Sequence, residues 1–254
     1  MTRPMKIIAC YSNKGGVGKT AASVNLAYTM AARGLHTLLC DLDPQGASGF
    51  YFRVKPSRKL IGKAFFKDTE KFADAIRGSD YPHLDILPAN MSFKDFDVFL
   101  AQMRQGDTRL EKALGAIEDD YDVIVLDCPP TISTLSENIF RTADAIVVPV
   151  IPTTLSQRTF EQLIAFFKEN DLPLKKLHGF FSMVQSVKTL HTETMDVMNT
   201  AFKPVLMKTH IPFASDVERM GVHQAPLMAT APNSVAGQAY AALAKEILRR
   251  IDKA

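Results

Sequence analysis

The residues best suited to chemistry begin near the N-terminus, at Asn13-Lys14-Gly15-Gly16-Val17-Gly18-Lys19-Thr20. Two lysines bracket three glycines, and a hydroxyl follows. The phosphate-wrapping pattern G-x-x-x-x-G-K-[ST] ends here in Gly18-Lys19-Thr20, with Asn13 where the first glycine usually stands. Glycines let successive backbone N–H groups turn inward onto phosphate oxygens, where side chains would block the approach. Lys19 would reach the terminal phosphates of a nucleotide, and the Thr20 hydroxyl would sit on Mg²⁺. Two acidic stretches follow in order. Leu39-Cys40-Asp41-Leu42-Asp43-Pro44-Gln45-Gly46 ends an apolar run in two carboxylates and then breaks it with proline and glycine. Tyr121-Asp122-Val123-Ile124-Val125-Leu126-Asp127-Cys128-Pro129-Pro130 runs four apolar residues into Asp127, which could hold Mg²⁺ directly or through water. Taken singly, either stretch also reads as a strand-ending turn.

These side chains need a scaffold that gathers them. The apolar run Met5 to Cys10 reads as a buried strand, and Ala21 to Ala32 as a helix packed on a sheet. Strand, glycine loop and helix is the context in which such a loop binds phosphate, with the helix N-terminus adding partial positive charge. Further strands are expected at Thr37–Asp41, Leu84–Pro88, Val123–Asp127, Ala145–Val150, Gly179–Val184 and Val205–Met207. Helical patterns occupy Phe93–Met103, Arg109–Ile117, Arg158–Glu169, Leu190–Ala201 and Ser234–Ile251. The alternation predicts an α/β three-layer sandwich with a mainly parallel central sheet flanked by helices. In such a sheet, ligands bind at the carboxyl ends of the strands, where the glycine loop and the acids lie. No internal repeat or low-complexity linker interrupts the 254 residues, so one domain over 1–254 is expected.

Composition narrows the function classes. A net charge of +3 gives no strong global attraction to nucleic acid, so any such binding must come from a local patch. Three cysteines, Cys10, Cys40 and Cys128, are widely spaced and form no C-x-x-C, which fits a reducing cytosol better than a disulfide framework. Cys10 and Cys40 end apolar runs and read as buried small hydrophobes. The absence of a signal-peptide core and of any apolar stretch of about 18 residues points to a cytoplasmic protein.

The run Lys14-Gly15-Gly16-Val17-Gly18-Lys19-Thr20 resembles the deviant Walker A loop of the ParA/MinD family of partition and positioning ATPases, in particular its ParA-like branch. The resemblance extends to the Asp41–Gln45 segment, similar to the family's switch I, and to Asp127-Cys128-Pro129-Pro130, similar to switch II and the Walker B end. It implies an ATP–Mg²⁺-binding P-loop ATPase. Gly15, Gly16, Val17, Gly18, Lys19, Thr20 and Ala21 would contact the nucleotide. Lys14 would reach across a homodimer interface to the partner subunit's nucleotide. Asp41 would hold a metal-bound water, completing a metal set with Thr20 and Asp127. Asp43 would orient or deprotonate the attacking water, making Lys14, Lys19 and Asp43 the catalytic residues. Met183 and Pro212 stand where the family's adenine-bordering strands end. The chain departs from the pattern at Gln185-Ser186-Val187-Lys188, where relatives often carry an Asp and an Arg. It also has Ala21 where a Thr often meets the α-phosphate, a loss of one hydrogen bond or about 1 kcal/mol.

The resemblance also implies partners: a second copy of the chain, non-specific DNA over the nucleoid, and an adaptor or cargo protein that stimulates slow hydrolysis. Two basic regions could supply the DNA contact. One comprises Arg53, Lys55, Arg58, Lys59, Lys63, Lys67 and Lys71. The other is spread over Lys168, Lys175, Lys176, Lys188, Lys203, Lys208, Arg219, Lys245, Arg249 and Arg250. Solvated helix faces would give the same composition. Two alternatives compete. A membrane-cycling, MinD-like ATPase would carry an amphipathic C-terminal segment. The helical spacing of Tyr240, Leu243, Ile247, Leu248 and Ile251 instead suits a helix packed on the sheet, with Arg249, Arg250 and Lys253 at its C-terminal end matching the helix dipole. An electron-transfer enzyme of the nitrogenase iron-protein type would bridge an Fe–S cluster through two cysteines per subunit, and Cys128 has no evident second.

Overall fold

A computed structural model describes residues 5–56 and 62–252. Arg58, Lys59 and Lys253 lie outside these described residues. Seven strands form one sheet: β1 Lys6–Cys10, β2 Thr37–Asp41, β3 Arg77–Gly78, β4 Leu84–Leu87, β5 Val123–Asp127, β6 Ala145–Val150 and β7 Leu177–Phe181. Their order across the sheet is β3-β4-β2-β5-β1-β6-β7. Every pairing is parallel except that of the two-residue β3 with β4. The helices are α1 Lys19–Ala31, α2 Ala47–Tyr51, α3 Gly62–Phe65, α4 Thr69–Ala73, α5 Phe96–Ala101, α6 Arg109–Gly115 and α7 Thr134–Thr142. They continue with α8 Thr154–Glu169, α9 Thr189–Ala201, α10 Ser215–Glu218, α11 Met220–His223, α12 Leu227–Thr230 and α13 Val235–Ile251.

The central strands are buried on both faces, which is why they read as continuous apolar runs rather than alternating ones. Side chains alternate across each strand, so Ile7 and Ala9 join one core while Ile8 and Cys10 join the other. The second core is built on α1 and α13, whose Ala22, Leu26, Met30, Leu243 and Ile247 are fully buried. The first holds an aromatic cluster from the stretch least marked by sequence motifs. Phe65 meets Phe72 at 4.9 Å and Phe96 at 5.0 Å, and Phe93 stacks on Phe96 at 4.3 Å. Tyr240, Leu243, Ile247 and Ile251 of α13 are buried, so its apolar stripe is already spent on packing.

Three expectations are corrected. The strand expected at Gly179–Val184 lies at Leu177–Phe181, because Met183 turns into a left-handed conformation (φ 54°) and only Val184 bridges onward, to Pro212. Val205–Met207 is no strand but a single bridge of Leu206 to Gly179. Its ladder cannot continue because the Glu246 carboxylate takes the N–H groups of Lys208 and Thr209, each at 3.0 Å. The helix expected at Phe93–Met103 divides into a 3₁₀ turn, Met91–Asp95, and α5.

Candidate nucleotide and metal site

Six parallel strands end on the same edge of the sheet, and the chain leaves β1, β2 and β5 there through the three chemical stretches. After β1, Gly16 and Gly18 take left-handed conformations (φ 71° and 95°) before Lys19 opens α1. Gly18 is constrained twice: besides its φ, a Cβ there would stand 3.0 Å from Ser182 Oγ and 3.8 Å from Met183 Cε. Met183 therefore lies against the loop, and Pro212 is bridged to the next residue, Val184. Gly15 and Gly16 are exposed, Val17 and Lys19 are buried, and Thr20 and Ala21 are half-buried at the helix start. Exposed loop backbone above an N-terminal helix turn is a ready anion site.

Asp41 and Asp127 are directly paired in register at the ends of β2 and β5, and both are fully buried. Ser48 of α2 ties them together: its N–H donates to Asp41 Oδ2 (3.0 Å) and its hydroxyl to Asp127 Oδ2 (2.8 Å). Ser23 of α1 donates to Asp127 Oδ1 at 3.0 Å. Burial and the neighbouring Asp127 charge push the Asp41 carboxyl well up. Burial raises Asp127 too, while the hydroxyls of Ser48, Thr20 and Ser23 and the Lys19 charge pull it back. Two crowded carboxylates with raised pKa values are relieved by a cation. Thr20, Asp41 and Asp127 offer only oxygen donors, the type Mg²⁺ takes, and Mg²⁺ ordinarily completes its shell with water and phosphate oxygens. This fits the finding that, among the described residues, no group of three or more His, Cys, Asp or Glu is placed to hold a metal alone.

Asp43 is half-buried on the loop after β2, where its Oδ1 accepts the Gln45 N–H at 3.0 Å. Lys14 turns toward its own chain: Nζ donates to Ser156 Oγ at 3.0 Å, and the Thr153 hydroxyl donates to the same oxygen at 3.0 Å. The serines were not legible from the loop motifs. Ser23 follows Lys19 by four residues and bonds the Lys19 carbonyl, a spacing that could have been noticed. Ser48, Ser156 and Ser182 reach the site only through folding.

All three cysteines are free and buried, Cys128 included. Burial raises the Cys10 thiol to about 12 and lifts Cys40 and Cys128 as well. None is positioned to bridge a cluster between subunits. The basic regions are partly committed: Arg53 pairs with Asp80, Lys71 with Asp68, and Lys176 Nζ caps the end of α7 at the Arg141 carbonyl (2.8 Å). Lys188, Lys203, Lys208, Arg219, Lys245 and Arg249 remain exposed.

A family model described as an AAA domain matches residues 5–177. The chain is 29% identical over 250 residues to the sporulation initiation inhibitor protein Soj of Bacillus subtilis, covering 95% of this chain and 98% of Soj. Its fold matches a plasmid partition protein of Borrelia burgdorferi solved with AMPPNP, at TM-score 0.80, 21% identity and coverage of 98% and 99% of the two chains. It also matches the cobyrinic acid a,c-diamide synthase of Mycobacterium smegmatis solved with ADP and magnesium, at TM-score 0.79, 22% identity and coverage of 98% and 96%. The class is thus a P-loop α/β nucleoside-triphosphatase fold with an AAA-type domain. Within that class the chain belongs to the ParA/MinD family of partition and positioning ATPases. Among the described residues, no helix is long and apolar enough to cross a membrane.

Proposed function

We propose that this chain is an ATP-driven switch that positions or segregates a cargo, working as a single domain over its length. The observation that carries the reading is the meeting of the Lys19 loop, the Asp41–Asp127 pair and Asp43 at one sheet edge, with a second loop lysine beside them. The loop N–H groups and Lys19 bind the phosphates of ATP. Thr20, Asp41 and Asp127 hold Mg²⁺, which when bound neutralises charge on the β- and γ-phosphates. Asp43 Oδ1 is occupied by the Gln45 N–H, which orients the carboxylate and leaves its other oxygen to position the attacking water. Met183 and Pro212 border the adenine, and Ala21 leaves the α-phosphate one hydroxyl short.

Lys14 leaves Ser156 to contact the nucleotide of a second copy, so ATP joins two chains face to face. The dimer then holds DNA through exposed basic residues of the C-terminal half, by salt-sensitive phosphate contacts. An adaptor or cargo protein stimulates hydrolysis and the dimer separates. The membrane-cycling alternative is weakened because the apolar face of α13 is buried, and the Fe–S alternative because every thiol is. Sedimentation velocity tests the switch. The parent is expected to dimerise with ATP and remain monomeric with ADP, and Lys14→Ala to bind ATP yet stay monomeric. A Lys14→Ala variant that dimerises like the parent would remove the trans contact.

A further inference from the structure

We propose that the groove between α8, the start of β7 and the C-terminal end of α13 binds a small organic anion, a carboxylate or phosphate carried on an apolar body. The groove encloses about 810 Å³, within the range of small-ligand sites. Ile164, Leu174, Phe202 and Val205 give it apolar walls. Its charged and polar lining is Lys168, Lys175, His178 and Arg250, with no acidic residue among the lining side chains. Arg250 is fixed rather than loose: Nη2 donates to the Leu206 carbonyl at 2.6 Å and to Glu246 at 3.2 Å. A rigid guanidinium beside an apolar wall is a specific place for an anionic head group.

His178 supplies an independent observation. The residue is 5% exposed, and its buried Nδ1 has no hydrogen-bond partner. Buried polar nitrogens are almost always satisfied, so an orphan at a groove marks a place where an occupant gains a bond. Burial and the Arg250 charge lower its pKa to about 4, so the ring meets the occupant neutral, able to donate or accept. No residue of the glycine loop, the acid pair or the Lys14 contact lines the groove. Duplex DNA would satisfy exposed lysines without using apolar walls, so a compact anion is the better match. The proposal does not depend on the nucleotide reading.

The test titrates 1-naphthyl phosphate, 2-naphthoate and uncharged 2-naphthalenemethanol by calorimetry. The imidazole resonances of His178 are followed by NMR. All titrations are repeated in the Lys19→Ala variant, so that a phosphate probe in the glycine loop is recognised. The two anions should saturate at one per chain, shift the His178 signals, and bind equally with Lys19→Ala. The alcohol should bind at least roughly tenfold more weakly, as loss of a charge-assisted bond requires. Lys168→Glu should weaken the anions by a similar factor. Ala201→Phe, which fills the groove from an exposed lining position, should abolish binding with an unchanged melting temperature. The proposal is overturned if no anionic probe saturates, if the alcohol binds as well, or if both groove variants bind like the parent.

Discussion

Two buried ionisable clusters divide this molecule. At the strand ends, Asp41 and Asp127 bring like charges together, and the Ser23 and Ser48 hydroxyls and the Asp43 and Ser48 N–H groups are turned onto them. At the sheet edge, Glu246 is set against Arg250 and the N–H groups of Lys208 and Thr209. Burial alone would raise Glu246, but those donors, the Thr209 hydroxyl and Arg250 outweigh it and leave the carboxyl lowered. One cluster is unfavourable until a cation arrives, and the other is satisfied as it stands. The first has the character of a cation site, and the second of a structural clamp that also holds Arg250 in place at the groove beside α8.

The largest separation should come from breaking each cluster's reason for existing. Lys19→Ala should weaken ATP binding by roughly a hundredfold or more, the worth of one or two charge-assisted bonds at about 1.5–3 kcal/mol each. Fluorescent-nucleotide titration measures it, and the fold should survive. Glu246→Ala should act oppositely. It takes one of Arg250's partners and leaves the part-buried Lys208 and Thr209 N–H groups and the Thr209 hydroxyl without their acceptor, so urea unfolding should show a loss of about 3 kcal/mol while ATP affinity in the folded fraction stays near the parent's. Asp127→Asn sharpens the contrast further. Removing one of two crowded carboxylates should leave the nucleotide-free protein as stable as the parent or more so by about 1 kcal/mol, while abolishing the response of ATP affinity to Mg²⁺. A destabilised, Mg²⁺-responsive Asp127→Asn would reverse the assignment of the two clusters.

His178 gives a smaller, pH-dependent effect. Its folded pKa is lowered from 6.5 to about 4, so the unfolded chain takes up the proton first. Its contribution is complete above about pH 6.5 and fades as pH falls toward 4, amounting to on the order of 3 kcal/mol. His178→Gln should flatten that part of the stability-versus-pH curve. The smallest effect belongs to Ser156→Ala. Freeing Lys14 from one part-buried hydrogen bond should lower the ATP concentration at half-dimerisation only a few-fold, corresponding to about 0.5–1 kcal/mol.

The same comparison explains what the sequence could reveal. The strand-end cluster was legible because its residues sit in short contiguous motifs: Gly18-Lys19-Thr20, Asp41 and Asp127 each close or open an apolar run. Five strands, β1, β2, β4, β5 and β6, fall where apolar runs predict them, to within a residue. β3 was missed because two residues carry no periodicity. β7 was displaced because Met183 takes a left-handed turn that its residue type does not announce. The edge cluster was illegible for a different reason. Glu246 reads as one more charge on a terminal helix until folding puts it beside Lys208 and Thr209, 38 and 37 positions away in the chain. Ser48 and Ser156 likewise become informative only when the sheet brings them to Asp127 and Lys14.

The most direct test of the central claim, an ATP-gated switch that holds DNA, is co-sedimentation of the purified protein with DNA in ADP, ATP or a slowly hydrolysed ATP analogue, at two salt concentrations. The account predicts retention with ATP and the analogue alone, weakening as salt rises, and persistence on DNA for Asp43→Ala in ATP. Absence of DNA binding in every nucleotide state, or binding indifferent to nucleotide, would contradict it.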